Sequence, residues 1–268
     1  GLIAQLRATA NMTKLAKYSQ ELYGNLEAET GVATGFKRCG SITVALTEER
    51  KEEIFRQAAM ARAFGVDVEE ISPAEVKAKY EYLNIEGVTG GVWLPLDGQG
   101  DPANITLALA KGARKMGAQV IERTKAMGVT RHGRRITSVQ WENEQGEIGS
   151  IDCENVINCG GIWGHEVGRM LGVNVPLQAC EHFYIVTEAI AGLTQMPVLR
   201  VPDECAYYKE DAGKMLLGAF EPISKPWAMG GIPQDFEFDQ LPEDFDHFEP
   251  ILEFAVERMP MLAAAGLH

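Results

Sequence analysis

The sequence predicts an α/β (α+β) fold in which an α/β layer interleaves with an antiparallel sheet built from segments on either side of it. Three observations predict this fold. An Asp101-Pro102 helix opening leads through an amphipathic stretch to residues 118–121, which are predicted to form a buried strand. Short strands separated by turns occupy residues 124–152, and beyond Pro176 an alternation of apolar and polar residues predicts further strands.

Helices and strands alternate in the N-terminal part of the chain. Apolar residues from Leu2 to Leu26 recur near the helical period, in a helix that Gly31 would end. Residues 36–46 are then predicted to form a strand, and residues 48–64 a helix. This part is therefore predicted to supply both helices and strands to the fold.

A helix start and a strand are predicted next. Ser72, Pro73 and Glu75 have the residue types of an N-cap, a proline at the first helical position and a capping box. Residues 88–94 are apolar and flanked by glycines, which predicts a strand. At the helix that follows, Asp101 is predicted to be the N-cap.

The C-terminal half begins with a predicted buried strand at residues 156–159, which enters Gly160 and Gly161. A helix from Trp163 to Leu171 follows directly. The later predicted elements are strands at 182–187, 198–199, 205–210 and 215–220 and a helix at 243–259.

Composition and charge exclude several classes of function. With 46% hydrophobic residues the chain can bury a sizeable core. Its formal net charge of -13 argues against a nucleic-acid surface or an anionic membrane partner, since both recruit clustered Lys and Arg. No apolar run approaches the roughly 20 residues of a membrane span. A small molecule is therefore the expected partner.

The five cysteines are widely spaced and show neither a CxxC pair nor metal-ligand spacing. They predict reduced, mostly buried thiols and no metal site. A reducing compartment fits this usage best.

Glycine patterns give no dinucleotide fingerprint, because the glycines at 87–100 precede a strand or lie in a turn. The string VINCGGIWGHEVGRMLG at 156–172 instead predicts a strand that feeds a glycine pair and a helix. Unpaired N–H groups at such a turn attract polar or anionic ligand atoms. The alternative is a tight structural turn with Trp163 in the core.

Several ordered motifs resemble a known family. The Asp101-Pro102 helix, the meander and the string NCGGIW at 158–163 resemble the middle of the D-amino-acid-oxidase-like flavoproteins. The resemblance to the FAD-dependent dimethylglycine/sarcosine dehydrogenase branch covers essentially the whole chain. Its strings are GSITVALTEER, DGQGDPANITLALAKGA, LQACEHFYIVTE, MPVLRVPDE and LPEDFDHFEP.

This resemblance implies an interior fragment of the parent fold. The fragment would comprise a partial FAD-binding domain of the D-amino-acid-oxidase/glutathione-reductase-like type and an interleaved antiparallel-sheet substrate domain. The dinucleotide fingerprint is expected before Gly1 and a last flavin-contacting strand after His268, so the isolated chain is expected to bind FAD weakly or not at all. The implied FAD-binding domain comprises residues 1–35 and 98–175. The implied substrate domain comprises residues 36–97 and 176–268.

The resemblance also assigns cofactor contacts. Ala126 stands where the family usually has a valine whose main chain contacts the adenine. Glycines in the family's flavin-facing turn allow the flavin to approach the backbone. In this sequence the turn corresponds to Asn158, Cys159, Gly160, Gly161 and Trp163.

Three residues are implied on the substrate side. His182 would lie near the flavin and orient the amine, and Tyr207 matches the family's substrate-side tyrosine, with Tyr208 on the opposite strand face. Arg200 is a candidate for the substrate carboxylate. The alternatives are a hydrogen-bonded structural histidine, ordinary strand packing of the tyrosine, and a salt bridge of the arginine.

The resemblance predicts oxidation of an N-methylated glycine, dimethylglycine or sarcosine, by hydride transfer to FAD. The electron acceptor would be an electron-transfer flavoprotein or oxygen, and folate would enter in members with a further domain. The expected compartment is the bacterial cytoplasm or the mitochondrial matrix. Two alternatives stay open: a non-catalytic relative resembling the pyruvate dehydrogenase phosphatase regulatory subunit, and an α/β domain without activity of its own.

Overall fold

The computed structural model describes residues 1–267, which group into two compact units. The first unit comprises Gly1–Ala118, His182–Pro222 and the described residues from Glu243 onward, and the second comprises Gln119–Glu181 and Ile223–Pro242. The helices are α1 (Ala10–Thr30), α2 (Glu48–Ala63), α3 (Pro73–Lys79), α4 (Pro102–Lys115), α5 (Gly164–Met170) and α6 (Phe245–Arg258). The strands are β1 (Leu2–Ile3), β2 (Ser41–Ala45), β3 (Glu69–Ile71), β4 (Gly90–Leu94), β5 (Gly98–Gln99), β6 (Thr124–His132), β7 (Arg135–Asn143), β8 (Ile148–Asp152), β9 (Tyr184–Val186), β10 (Val198–Val201), β11 (Ala206–Asp211) and β12 (Lys214–Ala219).

A seven-stranded mixed sheet forms the centre of the first unit, in the order β3-β4-β2-β10-β11-β12-β9. The pair β10 and β2 is parallel, and the other neighbouring pairs are antiparallel. The chain thus brings strands that are distant in sequence into one sheet.

One face of this sheet packs against α6 and carries the largest apolar cluster of the described residues. Leu199, Tyr208 and Leu217 are fully buried there, beside Phe248 and Ala255 of the helix. Side chains alternate along a strand, so the residues between these on β10, β11 and β12 lie on the opposite face. That opposite face carries the candidate site.

Smaller clusters complete the first unit. Ile54 of α2 packs with Val92 of β4, and Leu26 of α1 packs with Ile105 of α4. The short strands β1 and β5 pair antiparallel. These contacts hold the N-terminal segment beside the sheet.

The second unit contains the three-stranded antiparallel meander β6-β7-β8 and the short helix α5. His165 on this helix bonds through Nδ1 to the carbonyl oxygen of Val175, at 2.7 Å. Gly168 lets the following segment pass close, because a Cβ there would fall 2.6 Å from a methyl group of Val175.

Helix starts agree with the sequence-based predictions. Ser72 and Glu75 form the capping box, with Pro73 at the start of α3. Asp101 accepts N–H bonds from Ala103 and Asn104 at 2.9 and 3.1 Å, which caps α4. The predicted meander is also confirmed.

The first helix begins later than the sequence predicted. Leu2 lies in β1, and α1 starts at Ala10 because the Thr9 side chain accepts the N–H of Met12. Thr13 also exchanges hydrogen bonds with the backbone of Arg7. These side-chain bonds fix an extended segment before the helix.

Two predicted buried strands are absent from the described residues. Residues 118–121 belong to none of the three sheets, and Val120 and Ile121 are 37% and 54% exposed. Residues 156–159 form no strand either, and Ile157 is 84% exposed. A short apolar run becomes a buried strand only where a neighbouring strand and a covering layer are available.

The cysteine prediction needs one correction. All five are free thiols, but Cys159 and Cys180 are exposed and the other three are partly exposed. Within residues 1–267, no helix has the length and apolar composition needed to cross a membrane. The compact units divide the chain at other positions than the implied cofactor and substrate domains, whose assignment stays a prediction.

Candidate functional site

A row of directly opposed residues crosses the exposed face of the large sheet. Register pairs Thr43 of β2 with Arg200 of β10, Arg200 with Tyr207 of β11, Tyr207 with Gly218 of β12, and Gly218 with Tyr184 of β9. Directly opposed residues point to the same side of a sheet. We call these residues the cross-strand row; two of them, Arg200 and Tyr207, are predicted site residues.

Gly218 makes room for the ring of Tyr207. A Cβ atom on Gly218 would overlap that ring, so the ring lies directly over the glycine backbone. An aromatic side chain opposite a strand glycine covers the backbone that the glycine leaves open. Tyr208 is fully buried on the other face, as predicted from strand alternation.

Phe220 joins the predicted substrate-side residues into one cluster. Its ring centroid lies 5.1 Å from that of Tyr207 and 5.8 Å from that of His182. The guanidinium carbon of Arg200 lies 5.0 Å from the same centroid, within cation–π range. The structure therefore brings His182, Tyr207 and Arg200 together around a single aromatic ring.

His182 is anchored by a buried carboxylate. Its Nδ1 lies 2.8 Å from Oε2 of Glu221, and Oε1 of Glu221 accepts the backbone N–H of Phe183 at 2.8 Å. The Glu221 side chain is 2% exposed, whereas that of His182 is 47% exposed. The imidazole is thus held from the protein side and open on the other.

The Tyr207 hydroxyl stays protonated over a wider pH range than that of a free tyrosine. Its partial burial raises the pKa, and the negative charge of Glu221 raises it further, with a smaller contribution from Tyr184. Tyr207 is therefore a neutral hydroxyl that can donate or accept a hydrogen bond.

Arg200 and Thr43 of the cross-strand row also line a cavity of about 430 Å³ in the first unit, together with Arg7. Partial burial and the positive charge of Arg7 lower the pKa of Arg200, which remains cationic at neutral pH. Among residues 1–267, no carboxylate lies within ion-pair distance of Arg200. This guanidinium is available to an anionic group.

Asp97 lines the same cavity but has its oxygens engaged. It accepts the hydroxyl of Ser41 at 2.6 Å and the N–H of Gln5 at 3.0 Å. Burial raises its pKa, and these hydrogen bonds and the charge of Arg7 partly offset the rise. Asp97 ties the N-terminal segment to β2.

The predicted cofactor residues all lie in the second unit. Asn158 closes the turn before α5: its Oδ1 accepts the N–H of Gly160 at 3.0 Å and its Nδ2 donates to the carbonyl of Gly164 at 2.8 Å. Gly161 has a φ of 55°, a conformation that favours glycine, and open space where a Cβ would stand. Trp163 is 40% exposed rather than in a core.

Cys159 and Ala126 complete that set. Cys159 is exposed at the turn, and Ala126 lies on β6, opposite Trp141 and directly before a register shift. A bulge leaves a strand backbone locally less paired. The predicted turn thus has three small residues at its centre, of which Cys159 and Gly161 are exposed.

A family comparison decides the class of protein. The sequence profile described as FAD dependent oxidoreductase (DAO) matches residues 1–267. The chain belongs to this family. The resemblance stated from its motifs is thereby confirmed, and so is the α/β flavoprotein fold class.

Similar curated proteins refine this placement. The chain is 35% identical to 4-methylaminobutanoate oxidase (formaldehyde-forming) of Paenarthrobacter nicotinovorans, over 99% of the chain and 32% of that protein. Mitochondrial sarcosine dehydrogenase of Mus musculus is 33% identical, over 100% of the chain and 29% of that protein. The mitochondrial pyruvate dehydrogenase phosphatase regulatory subunit of the mouse is 35% identical, over 98% of the chain and 30% of that protein. The chain thus spans about a third of the length of these relatives.

Solved structures share the fold. The L-proline dehydrogenase from P. horikoshii superposes with a TM-score of 0.84 at 23% identity, over 100% of this chain and 68% of that one. This likeness shows the fold alone.

Sequence reasoning missed Glu221, Phe220 and Tyr184. Phe220 and Glu221 follow β12 directly, and a charged residue next to an aromatic one at a strand end gives no distinct signal. Tyr184 lies two positions after His182, so the period-2 rule could have placed it on the same face.

Proposed function

We propose that the protein oxidises an N-methylated amino acid at a carbon attached to nitrogen, with FAD as the cofactor. The observation that supports this most is the clustering of His182, Tyr207 and Arg200 around Phe220 on one exposed sheet face. The cluster offers a cation for a carboxylate, and an imidazole and a phenol as hydrogen-bonding groups for an amine. Relatives named for N-methylated amino acids make sarcosine and dimethylglycine the first substrates to test.

Arg200 would bind the substrate carboxylate. A guanidinium matches a carboxylate with two parallel hydrogen bonds, and Arg200 has no competing carboxylate among the described residues. Its packing over Phe220 restricts the orientation of the planar group. The carboxylate would therefore fix one end of the substrate at β10.

His182 and Tyr207 would orient the amine. Oxidation requires a deprotonated nitrogen, whose lone pair forms the C=N bond as the C–H bond breaks and its electron pair leaves with the hydrogen. The Tyr207 hydroxyl can hydrogen-bond to the nitrogen without changing its own charge. His182 presents the ring atom Nε2, since Nδ1 is engaged by Glu221. Water then hydrolyses the imine to formaldehyde and the demethylated amine.

The exposed turn at 158–163 and the main chain at Ala126 would hold the cofactor. Gly161 fits this role, because no atom of the described residues lies within 4 Å of the place where a Cβ would stand. When bound, the flavin supplies a two-electron acceptor for the hydride. Asn158 would keep the turn in place through its two backbone hydrogen bonds.

The reoxidation partner and the compartment belong to this proposal as well. An electron-transfer flavoprotein or oxygen would accept the electrons, and folate would take up the one-carbon unit if a further domain provides a site. The protein would act in the bacterial cytoplasm or the mitochondrial matrix, in line with bacterial and mitochondrial relatives.

The test is anaerobic titration of the full-length, flavin-loaded protein while its visible flavin absorbance is recorded. Sarcosine or dimethylglycine should bleach the flavin. Glycine betaine is the matched control, since its quaternary nitrogen has no lone pair to form a C=N bond. Bleaching by betaine, or none with sarcosine, dimethylglycine and 4-methylaminobutanoate, would contradict the proposal.

A second candidate is a non-catalytic regulatory role. It is favoured by the 35% identity to the phosphatase regulatory subunit, which equals that to the oxidase relative. In that case the purified full-length protein would show no substrate-dependent bleaching. It would instead change the activity of a partner enzyme in a reconstituted assay.

A further inference from the structure

We propose that Glu221 is a positioning residue: it holds Nδ1 of His182 and thereby fixes the tautomer and the ring orientation, so that Nε2 faces the substrate amine. This inference rests on the proposed function and assigns a role to a residue that does not itself touch the substrate. It is built from the contacts of His182, Phe183 and Glu221.

The two oxygens of Glu221 each accept one hydrogen bond. Oε1 accepts the N–H of Phe183 and Oε2 lies against Nδ1 of His182, both at 2.8 Å. A carboxylate has no proton to donate, so Nδ1 must carry the hydrogen. In a neutral imidazole the second nitrogen is then an acceptor. Glu221 therefore determines which ring nitrogen is free.

Burial makes this arrangement rigid. The Glu221 side chain is 2% exposed and is fixed to the backbone of the residue that follows His182. The other edge of the imidazole remains open, since the His182 side chain is 47% exposed. Phe220 packs against the ring at a centroid distance of 5.8 Å. The ring is thus held by Glu221 and Phe220 and remains about half exposed.

The carboxylate charge has a further consequence. Among the described residues, His182 is the one basic side chain that lies within ion-pair distance of Glu221. A buried carboxylate without a strong cationic partner is costly to maintain. Its charge would stabilise any positive charge shared between the substrate nitrogen and His182. A structural role limited to capping Phe183 would need only a neutral acceptor.

The substitution Glu221→Gln separates the two roles. An amide has an oxygen at one end and an NH2 group at the other, so Phe183 N–H and Nδ1–H, which now bond to different oxygens, cannot both keep their present acceptor position. If the oxygen stays on Phe183, the amide NH2 faces Nδ1 and drives the imidazole proton to Nε2. The variant should therefore invert the His182 tautomer while the side chain keeps its size.

Glu210→Gln is the matched control. Glu210 is also a buried carboxylate, 5% exposed, and it accepts the N–H of Gly213 at 2.9 Å. It lies on the opposite face of β11 from Tyr207, because it is an odd number of residues away. Neutralising it removes a buried charge without touching His182.

The experiment uses full-length, flavin-loaded protein labelled with ¹⁵N-histidine. NMR should show the Nδ1–H tautomer of His182 in wild type and in Glu210→Gln, and the Nε2–H tautomer in Glu221→Gln. Stopped-flow reduction with the N-methylated substrate should give a limiting rate at least about 10-fold lower than wild type in Glu221→Gln, and an unchanged rate in Glu210→Gln. Inhibition by acetate, which has a carboxylate but no amine, should be unchanged in all three.

Each outcome decides the inference. An unchanged tautomer in Glu221→Gln overturns it, as does an unchanged limiting rate in a protein whose tautomer has inverted. If Glu221→Gln loses both acetate binding and the limiting rate of flavin reduction, the site is damaged in general. That result would also count against the inference. If no N-methylated amino acid reduces wild-type flavin, the proposed function fails, while the NMR result still decides whether Glu221 sets the tautomer.

Discussion

Tyr207 supplies a hydroxyl whose contribution can be separated from its ring. The ring and its oxygen cover Gly218 and the ring packs against Phe220, but among residues 1–267 the hydroxyl makes no hydrogen bond. Tyr207→Phe should leave the thermal midpoint unchanged and lower the limiting rate of flavin reduction about 10-fold. Tyr18→Phe, at a side chain 63% exposed on α1, is the control.

The pH dependence follows from the same residue. Burial and then the charge of Glu221 raise the Tyr207 pKa, so the neutral hydroxyl persists to higher pH than in a free tyrosine. Loss of activity through ionisation of Tyr207 should therefore begin above the usual tyrosine range of about 10. An alkaline limb below that range that disappears in Tyr207→Phe would contradict this assignment.

Arg200 should determine the affinity for the substrate carboxylate. Replacing it by Gln removes a charge-assisted contact of about 1.5–3 kcal/mol, so the substrate Kd should rise about 10- to 100-fold. Arg38→Gln is the matched control, because that arginine also lies over a phenylalanine, at 6.0 Å from the Phe36 centroid. Equal effects of the two substitutions on Kd would argue against a carboxylate site at Arg200.

At the level of secondary-structure elements, β11 and β12 depend on each other through one glycine. Gly218→Ala places a methyl group in the Tyr207 ring, which must shift, at a cost of about 1–3 kcal/mol in the free energy of unfolding. Flavin reduction should fall as well. Gly230→Ala, with open space around its Cβ, should have little effect on either.

A double substitution tests the cause. In the Tyr207→Ala background the ring is absent, so Gly218→Ala should cost much less than in wild type. Denaturant unfolding of the four proteins gives the coupling free energy between the two positions. Additive effects would mean that the ring and the glycine do not interact as described.

At the level of the whole first unit, Arg258 links segments that are far apart in sequence. It binds Glu204, with a closest distance of 2.6 Å, and donates to the carbonyls of Asn84 and Glu86 at 2.7 and 2.9 Å. Both partners of the ion pair are nearly buried. Removing one partner of a buried pair leaves an uncompensated charge and unsatisfied acceptors.

Arg258→Ala should therefore lower the free energy of unfolding by about 3–5 kcal/mol. Arg56→Ala is the comparison, since its pair with Glu52 is exposed and within one helix. That pair should contribute about 0.5 kcal/mol or less. Denaturant unfolding measures the free energy of unfolding of both variants. If Arg258→Ala loses as little as Arg56→Ala, the buried Arg258–Glu204 pair is not important for stability.

Local signals in the sequence determined much of the fold. Thr47, Ser72 and Asp101 cap helices as their residue types imply, and Gly31 ends α1 in a left-handed conformation. Capping and turn formation depend on residues a few positions apart, so they can be read from the sequence. The motifs likewise determined the family, because they extend along the whole chain.

The tertiary structure alone decided how the site is assembled. The sequence suggested His182, Tyr207 and Arg200 separately, but not the Phe220 ring between them or the carboxylate of Glu221, 39 positions from His182. Strand order and register place these residues side by side, and they depend on long-range pairing rather than on local preference. The same limit explains why the strands predicted at residues 118–121 and 156–159 are wrong: neither segment belongs to one of the three described sheets.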